Sequence, residues 1–178
     1  MRLLILDFDD TLFFTGEAIA KASFEILKKE MQRREVRALP GREKGKIYDL
    51  AFSKYRTNSK PNAMLIRRIA SDYRDYRILI LSARSEKLYG DTEYLLREYG
   101  IPFHEIMLRD ETVLHMDDEK WKADYIKGIL NDYEHVHLYE DKEDNIEYIR
   151  NALGRGAGKV AFFLVRSSME GGVEIDRV

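Results

Sequence analysis

Five short apolar runs, separated by segments with helical spacing, constrain the fold of this 178-residue chain more than any other feature. The runs are Leu3 to Phe8, Ile78 to Ser82, Phe103 to Leu108, Val136 to Tyr139 and Val160 to Val165. They are continuous rather than alternating, which is typical of parallel strands that are covered on both faces. Between the last four runs, apolar residues recur at three- and four-residue steps, as on one face of a helix. The pattern predicts an α/β fold with a doubly wound (Rossmann-like) parallel five-stranded sheet.

One segment, from Phe13 to Tyr76, interrupts this alternation because it contains no convincing strand. Its helical signals are a face with Ala20, Phe24, Leu27 and Met31, a run from Ile47 to Tyr55 and a run from Met64 to Tyr73. We therefore expect one domain over residues 1–178, in which residues 13–60 form a small helical cap insertion.

The insertion carries an excess of positive charge. Residues 28–60 contain 11 Lys and Arg against four Asp and Glu, a charge of +7, so a total of −2 leaves −9 for the rest of the chain. Such a run forms either a solvated helix face or a lid that attracts a polyanion. Likewise, Tyr48, Phe52 and Tyr55 either stack on nucleic acid bases or form the apolar face of a short helix.

Composition excludes several classes of site. The chain has no Cys, so disulfides, thiolate nucleophiles and Cys-ligated zinc are ruled out. His135 and His137 alternate on an expected strand, but no third ligand accompanies them. The first apolar run reaches an acidic cluster by Asp7, and no run approaches the roughly 18 apolar residues of a membrane helix. We expect a soluble, cytoplasmic protein that does not bind membranes and is a monomer or weak dimer.

Two carboxylates follow the first apolar run, in the sequence Asp7-Phe8-Asp9-Asp10-Thr11. Alternation along an extended strand turns Asp7 and Asp9 to the same side, where they would repel unless a cation lies between them. Mg²⁺ is the expected cation for oxygen ligands, and such a pair suits phosphoryl transfer. Thr11 would close the turn by a local hydrogen bond. The alternative is an acidic turn or helix N-cap.

Two further segments carry groups that can bind phosphate. At the end of the second run, the Ser82 hydroxyl, the Ala83 backbone N–H and the Arg84 guanidinium could bind phosphate oxygens, although a Ser after a strand is often a helix cap. Lys120 and Lys122 open a later helix and could offset phosphate charge, although lysines there are commonly solvated.

A second pair of acids, Glu140 and Asp141, follows the fourth run. Acids before a helix are ordinarily explained by its dipole. However, the fourth strand could neighbour the first, so Asp141 could complete an oxygen-ligand site for Mg²⁺ with Asp7.

Taken in order, these four elements resemble the motifs of the haloacid dehalogenase superfamily. The resemblance implies that Asp7 is the nucleophile forming an aspartyl-phosphate, that Asp9 is the general acid/base, and that Thr11, Ser82 and Lys122 lie at the phosphate. It also implies a Mg²⁺ site with Asp7, the Asp9 carbonyl and Asp141 as ligands, and with Glu140 or Asp144 next to them. Two features depart from the superfamily pattern: no Pro follows Lys122, so Lys120 remains a competitor, and Asn145 stands where one variant has Asp.

The strings Leu-Ser-Ala-Arg, Trp-Lys and Tyr-Glu-Asp are also similar to phosphatase domains of polynucleotide end-repair enzymes, which implies that Arg84 contacts substrate. We therefore expect a Mg²⁺-dependent phosphomonoester hydrolase whose substrate is a 3′-phosphorylated nucleic acid end, held by the basic segment 28–60. The alternatives are a nucleotide or sugar-phosphate phosphatase, a phosphomutase, and a non-catalytic scaffold.

Overall fold

The computed structural model describes residues 1–167 and 172–178. The strands are β1 (Arg2–Leu6), β2 (Phe13–Phe14), β3 (Lys60–Pro61), β4 (Arg77–Ser85), β5 (Glu105–Arg109), β6 (His135–Glu140), β7 (Val160–Ser167) and β8 (Val173–Arg177). The helices are α1 (Gly16–Leu27), α2 (Arg33–Arg37), α3 (Gly41–Phe52), α4 (Ala63–Asp72), α5 (Tyr89–Glu98), α6 (Asp118–Ile129) and α7 (Glu143–Leu153). Within the described ranges, none of the helices combines the length and apolarity needed to cross a bilayer.

The central sheet has six strands in the order β5-β4-β1-β6-β7-β8. The first five are parallel, and β8 pairs antiparallel with β7 at the edge. The predicted doubly wound α/β fold is confirmed, whereas the strand count was one short. Strand β8 alternates apolar Val173 and Ile175 with charged residues and is largely exposed, so it lacks the continuous apolar run that marks the buried strands.

Two helices cover each face of the sheet. On one face, α4 and α5 bury Leu65 and Leu95 against the β1 side chains of Leu4 and Leu6. On the other face, α6 and α7 pack against Leu3 and the neighbouring strands. Because β1 is buried on both faces and lies between β4 and β6, the residues that follow it emerge where three strand ends meet.

The short strands β2 and β3 pair antiparallel and bracket helices α1 to α3. They were not predicted, since two residues give no periodic signal. The three helices share a hydrophobic cluster of their own, which includes Ile19, Val36 and Ile47. The face predicted for α1 was wrong. Its buried residues are Ala18, Ile19, Ala22 and Ser23. Phe24 is 53% exposed, and Met31 lies beyond the end of the helix at Leu27.

Asn62, which follows β3, joins the start of α4 to the turn after β1. Its side-chain oxygen accepts a hydrogen bond from the Leu65 N–H at 3.1 Å, which caps α4, and its amide nitrogen donates to the Thr11 carbonyl at 2.9 Å. The start of α4 is therefore fixed to the turn that follows β1.

Candidate active site

A tight turn follows β1 and carries the first motif. The Asp7 N–H donates to the Tyr139 carbonyl of β6 at 3.0 Å, and the N–H groups of Leu12 and Phe13 both donate to the Phe8 carbonyl at 3.0 Å. Asp10 has a φ of 64°, in the left-handed region that Asp tolerates better than most residues. The turn therefore holds Asp7 against β6 at the carboxyl edge of the sheet.

Lys122 lies in the acidic site formed by Asp7 and Glu140. Its Nζ donates to Oδ1 of Asp7 at 2.6 Å and to Oε2 of Glu140 at 2.6 Å, and all three side chains are buried. The Thr11 hydroxyl donates to Oδ2 of Asp7 at 3.3 Å, so this threonine bonds the expected nucleophile. Lys120 is exposed. Of the two candidate lysines, the structure brings Lys122 to Asp7.

Asp7, Glu140 and Asp141 form a cluster of carboxylates whose ligand atoms lie within 4.8 Å of one another. Burial and the charge of Glu140 raise the pKa of Asp7 to about 7, while burial and the charges of Asp7 and Glu140 raise the pKa of Asp141 to about 9. The cluster therefore has uncompensated negative charge, and its hard oxygen donors fit Mg²⁺. Asn145 donates to Glu140 at 3.1 Å, while Asp144 is exposed.

Asp9 is not part of that cluster, because its carboxylate pairs with Arg84. The guanidinium donates through Nη2 to Oδ1 at 2.7 Å and through Nε to Oδ2 at 2.9 Å. It lies between two rings, 4.2 Å from the centroid of Phe8 and 4.1 Å from that of Phe52 on α3. Burial acts to raise the pKa of Asp9, but the guanidinium outweighs it and holds the pKa below its usual value.

An irregular stretch of strand β4 positions Arg84. Strand β4 continues to Ser85, past the predicted end at Ser82, and its register with β5 shifts between Leu81 and Ser85. Ser82 is buried, and its hydroxyl accepts a 3.4 Å hydrogen bond from the Arg84 N–H, while the Ala83 carbonyl accepts from the side chain of an arginine on β5. Irregularities of this kind redirect side chains, and here the Arg84 side chain reaches Asp9.

Sequence reasoning missed one pair that links the insertion to the site. Asp10 accepts hydrogen bonds at 3.0 Å from both the backbone N–H and the hydroxyl of Thr15, and it forms an ion pair with Arg33 of α2. Burial acts to lower the pKa of Arg33, but the charges of Asp10, Asp9 and Asp141 outweigh it and raise that pKa. Arg33 was one of eleven cations in the basic segment, so no sequence signal distinguished it.

Comparisons with known proteins identify the fold. No protein-family model matches the sequence, and the search of curated proteins gives no match. Among solved structures, the chain is similar to a HAD-superfamily hydrolase of subfamily IA from Geobacter sulfurreducens, with a TM-score of 0.57, 12% identity and coverage of 91% of this chain and 85% of that one.

Two further solved structures have different activities in their names. A protein from Thermotoga maritima assigned as a beta-phosphoglucomutase matches with a TM-score of 0.56 and 14% identity, over 90% of this chain and 84% of that one. An L-2-haloacid dehalogenase matches with a TM-score of 0.59 and 14% identity, over 97% of this chain and 87% of that one. The chain therefore has the fold of the haloacid dehalogenase superfamily, as its four motifs predicted. That fold serves more than one reaction, so the reaction has to be argued from the site.

Proposed function

We propose that this chain, which has the fold of the haloacid dehalogenase superfamily, is a Mg²⁺-dependent phosphomonoester hydrolase that acts through an aspartyl-phosphate on Asp7. One observation carries the proposal: the Asp7 carboxylate, at the end of the central strand, bonds Lys122 through one oxygen and Thr11 through the other. A buried carboxylate fixed beside an ammonium group is suited to attack an anionic phosphoryl centre, because the cation offsets the charge that gathers there.

In the first step, an Asp7 oxygen forms a bond to phosphorus, and the bond from phosphorus to the leaving oxygen breaks. The leaving oxygen takes a proton from the Asp9 carboxyl. Lys122 stays near the transferred group and offsets its charge. Asp7, Glu140 and Asp141 would hold Mg²⁺, which when bound supplies positive charge against the phosphate.

In the second step, water attacks phosphorus and loses its proton to Asp9, and the bond from phosphorus to Asp7 breaks. The products are inorganic phosphate and the free Asp7 carboxylate, so the cycle is balanced. Transfer to a second substrate molecule instead of water would make the protein a phosphomutase.

Asp9 can act as an acid only after Arg84 leaves it. In the structure the guanidinium binds both Asp9 oxygens and holds its pKa low, so Asp9 is ionised. A phosphoryl group is a competing partner for the same planar donor. We infer that substrate draws Arg84 from Asp9 to phosphate, which gives Arg84 the substrate contact that the sequence suggested. The pKa of Asp9 then rises, and its carboxylate takes up from solvent the proton that it donates in the first step.

The basic segment 28–60 supports a polyanionic substrate, for which a 3′-phosphorylated nucleic acid end is our proposal. Five of its cations pair with carboxylates, at positions 29, 33, 54, 56 and 60. The other six form no ion pair with a carboxylate within residues 1–167 and 172–178: Lys28, Arg34, Arg37, Arg42, Lys44 and Lys46. Unpaired cations on α2 and the start of α3 can neutralise backbone phosphates.

The reaction is tested by turnover of a chromogenic aryl phosphate with Mg²⁺, with EDTA, and in the variant Asp7→Asn. We expect release of inorganic phosphate that requires Mg²⁺ and falls by at least about 10³-fold in the variant, because the nucleophile is lost. Asp144→Asn removes an exposed carboxylate of the same motif and should leave turnover unchanged. Undiminished turnover in Asp7→Asn would refute the mechanism, and no turnover in any sample would favour a scaffold.

The substrate class is tested with an oligonucleotide that carries a 3′-phosphate. Its hydrolysis should fall steeply as salt rises, and the triple variant Arg37→Gln, Arg42→Gln and Lys46→Gln should weaken it. A matched triple variant, Arg67→Gln, Lys127→Gln and Arg155→Gln, removes three exposed cations outside the segment and should have little effect. Equal activity on small sugar phosphates, indifferent to salt, would exclude the nucleic acid substrate.

A further inference from the structure

A second cationic site lies at the opposite edge of the sheet, near the amino ends of β6 and β7. A hollow of about 340 Å³ is found there. The side chains that line it are those of Arg2, Tyr76, His135, Val136, His137, Lys159, Val160, Ala161 and Arg177. Since Asp7 and Asp141 follow the carboxyl ends of β1 and β6, this hollow is separate from the candidate active site.

Strand register explains why these side chains meet. Arg2 of β1 pairs with His135 of β6, His137 pairs with Ala161 of β7, and Phe163 pairs with Arg177 of β8. Paired residues, and residues two apart on a strand, share one face of a sheet. One face therefore presents two arginines and two imidazoles from three strands, and Lys159 reaches it from the turn before β7.

No carboxylate of the described residues pairs with the three cations at this hollow. Within residues 1–167 and 172–178, Arg2, Lys159 and Arg177 form no ion pair, and the residues lining the hollow include no acid. By contrast Arg166, on the neighbouring strand β7, pairs with Asp176. Like charges that converge without counter-charge make a local positive potential that attracts anions.

His137 lies among these cations. Its Nδ1 lies 3.0 Å from the Tyr73 hydroxyl, and the ring lines the hollow. Burial lowers the pKa of His137, and the charges of Arg177, Arg68, His135 and Arg2 lower it further. The imidazole is thus surrounded by positive groups on several sides.

We propose that this hollow binds a small molecule that carries a diphosphate group. A diphosphate offers negative charge at two phosphorus centres, which matches cations that come from three separate elements better than a single charge would. The hollow lies at the lower end of the 300–1,000 Å³ range of small-molecule sites. Tyr76 provides an aromatic wall, with the Arg2 guanidinium 5.8 Å from its ring centroid. The proposal is independent of the proposed hydrolysis at Asp7.

Isothermal titration of the full chain in EDTA tests the site, with inorganic pyrophosphate and adenosine diphosphate as separate probes. We expect saturable binding of at least one probe that weakens at least about tenfold in the triple variant Arg2→Gln, Lys159→Gln and Arg177→Gln. The matched triple variant at Arg67, Lys127 and Arg155 should bind as the parent does. Equal loss in both triple variants, or no saturable binding of either probe by the parent, would overturn the proposal.

Two further variants answer two questions. Tyr76→Leu distinguishes a nucleotide from an inorganic diphosphate as the ligand, and Lys122→Met distinguishes binding at the hollow from binding at the candidate active site. Tighter binding of adenosine diphosphate than of pyrophosphate, lost in Tyr76→Leu, supports a nucleotide, whereas equal binding supports an inorganic diphosphate. Lys122→Met should leave binding intact. If Lys122→Met abolishes binding and the Arg2 triple variant does not, the probe binds at the active site and the proposal fails. Aryl phosphate turnover by the Arg2 triple variant should stay unchanged, which also shows that it folds.

Discussion

The surroundings of Asp7 and Asp9 differ in their balance of charge, although the two carboxylates are two residues apart. Around Asp7, the ammonium group of Lys122 pairs with the carboxylates of Asp7 and Glu140, while that of Asp141 lies close to both, and the pKa of Asp7 rises to about 7. Around Asp9, one guanidinium faces one carboxylate, and the pKa of Asp9 falls. The negative charge around Asp7 is therefore compensated only when a further cation binds. The charge of Asp9 is compensated as long as Arg84 stays paired with it.

The two sides also differ in which part of the chain completes them. Lys122 comes from α6, which packs on the sheet, and Thr11 comes from the turn after β1, so both groups that bond the Asp7 side chain lie outside helices α1 to α3. Arg84 is held from one direction by Phe8 and from the other by Phe52 of the insertion. A substitution in the insertion should therefore affect the ion pair between Asp9 and Arg84 more than the hydrogen bonds of Asp7.

The largest expected effect is on the free energy of unfolding, which should fall more when Lys122 is replaced than when Arg84 is replaced. Lys122→Met leaves two buried carboxylates, those of Asp7 and Glu140, without their cation and should lower the free energy of unfolding by about 3–5 kcal/mol in EDTA at neutral to alkaline pH. Arg84→Met leaves one carboxylate unpaired and should cost less. Urea unfolding measures both, with the exposed Lys120→Met as the control that should not change. Mg²⁺ should restore part of the loss in Lys122→Met but not in Arg84→Met, and equal losses with equal restoration would contradict the contrast.

Sequence alone predicted the Asp7 side better than the Asp9 side, for a physical reason. Continuous apolar runs identify buried parallel strands, and the carboxyl ends of such strands meet at one edge, so Asp7 and Asp141 could be placed together. The pairing of Asp9 with Arg84 depends on a register shift between β4 and β5, which leaves no periodic signal in the sequence.

Contacts between the insertion and the sheet were beyond prediction for a similar reason. The pairing of Arg33 with Asp10 and the stacking of Phe52 on Arg84 join residues far apart in sequence, and no local pattern specifies them. Strand β8 was missed because its apolar and charged residues alternate at an exposed edge. Patterns thus predict elements and the strand ends that they expose, whereas side-chain partners depend on tertiary packing.

The second expected effect concerns Mg²⁺ and pH. Without metal, the folded pKa values of Asp7 and Asp141, about 7 and about 9, lie above the ordinary carboxyl value of 3.8. The folded state then holds protons that the unfolded state releases, so these groups reduce stability as pH rises from about 4 to about 9. Mg²⁺ displaces those protons, so its stabilising effect should grow from pH 6 to pH 9.

Thermal unfolding with and without saturating Mg²⁺ measures this effect, since the other titrating groups contribute equally to both curves. Asp141→Asn should remove most of the Mg²⁺-dependent shift in melting temperature. Asp9→Asn keeps its backbone carbonyl and lies outside the cluster, so the shift should persist. A shift that is independent of pH would contradict the displacement of protons by Mg²⁺. A shift that is lost in Asp9→Asn alone would contradict a metal site formed by Asp7, Glu140 and Asp141.

The smallest expected effect tests whether the insertion supports Asp9 alone. Phe52→Leu removes one of the two rings that sandwich Arg84 and should cost about 1 kcal/mol of stability, the usual value of a cation–π contact that is partly desolvated. The exposed Phe24→Leu on α1 is the matched control. In double-mutant cycles, Phe52→Leu should be non-additive with Arg84→Met and additive with Lys122→Met, because only the first pair is in contact. Additivity in both cycles would mean that the insertion does not act through Arg84, and the distinction between the two carboxylates would then rest on charge balance alone.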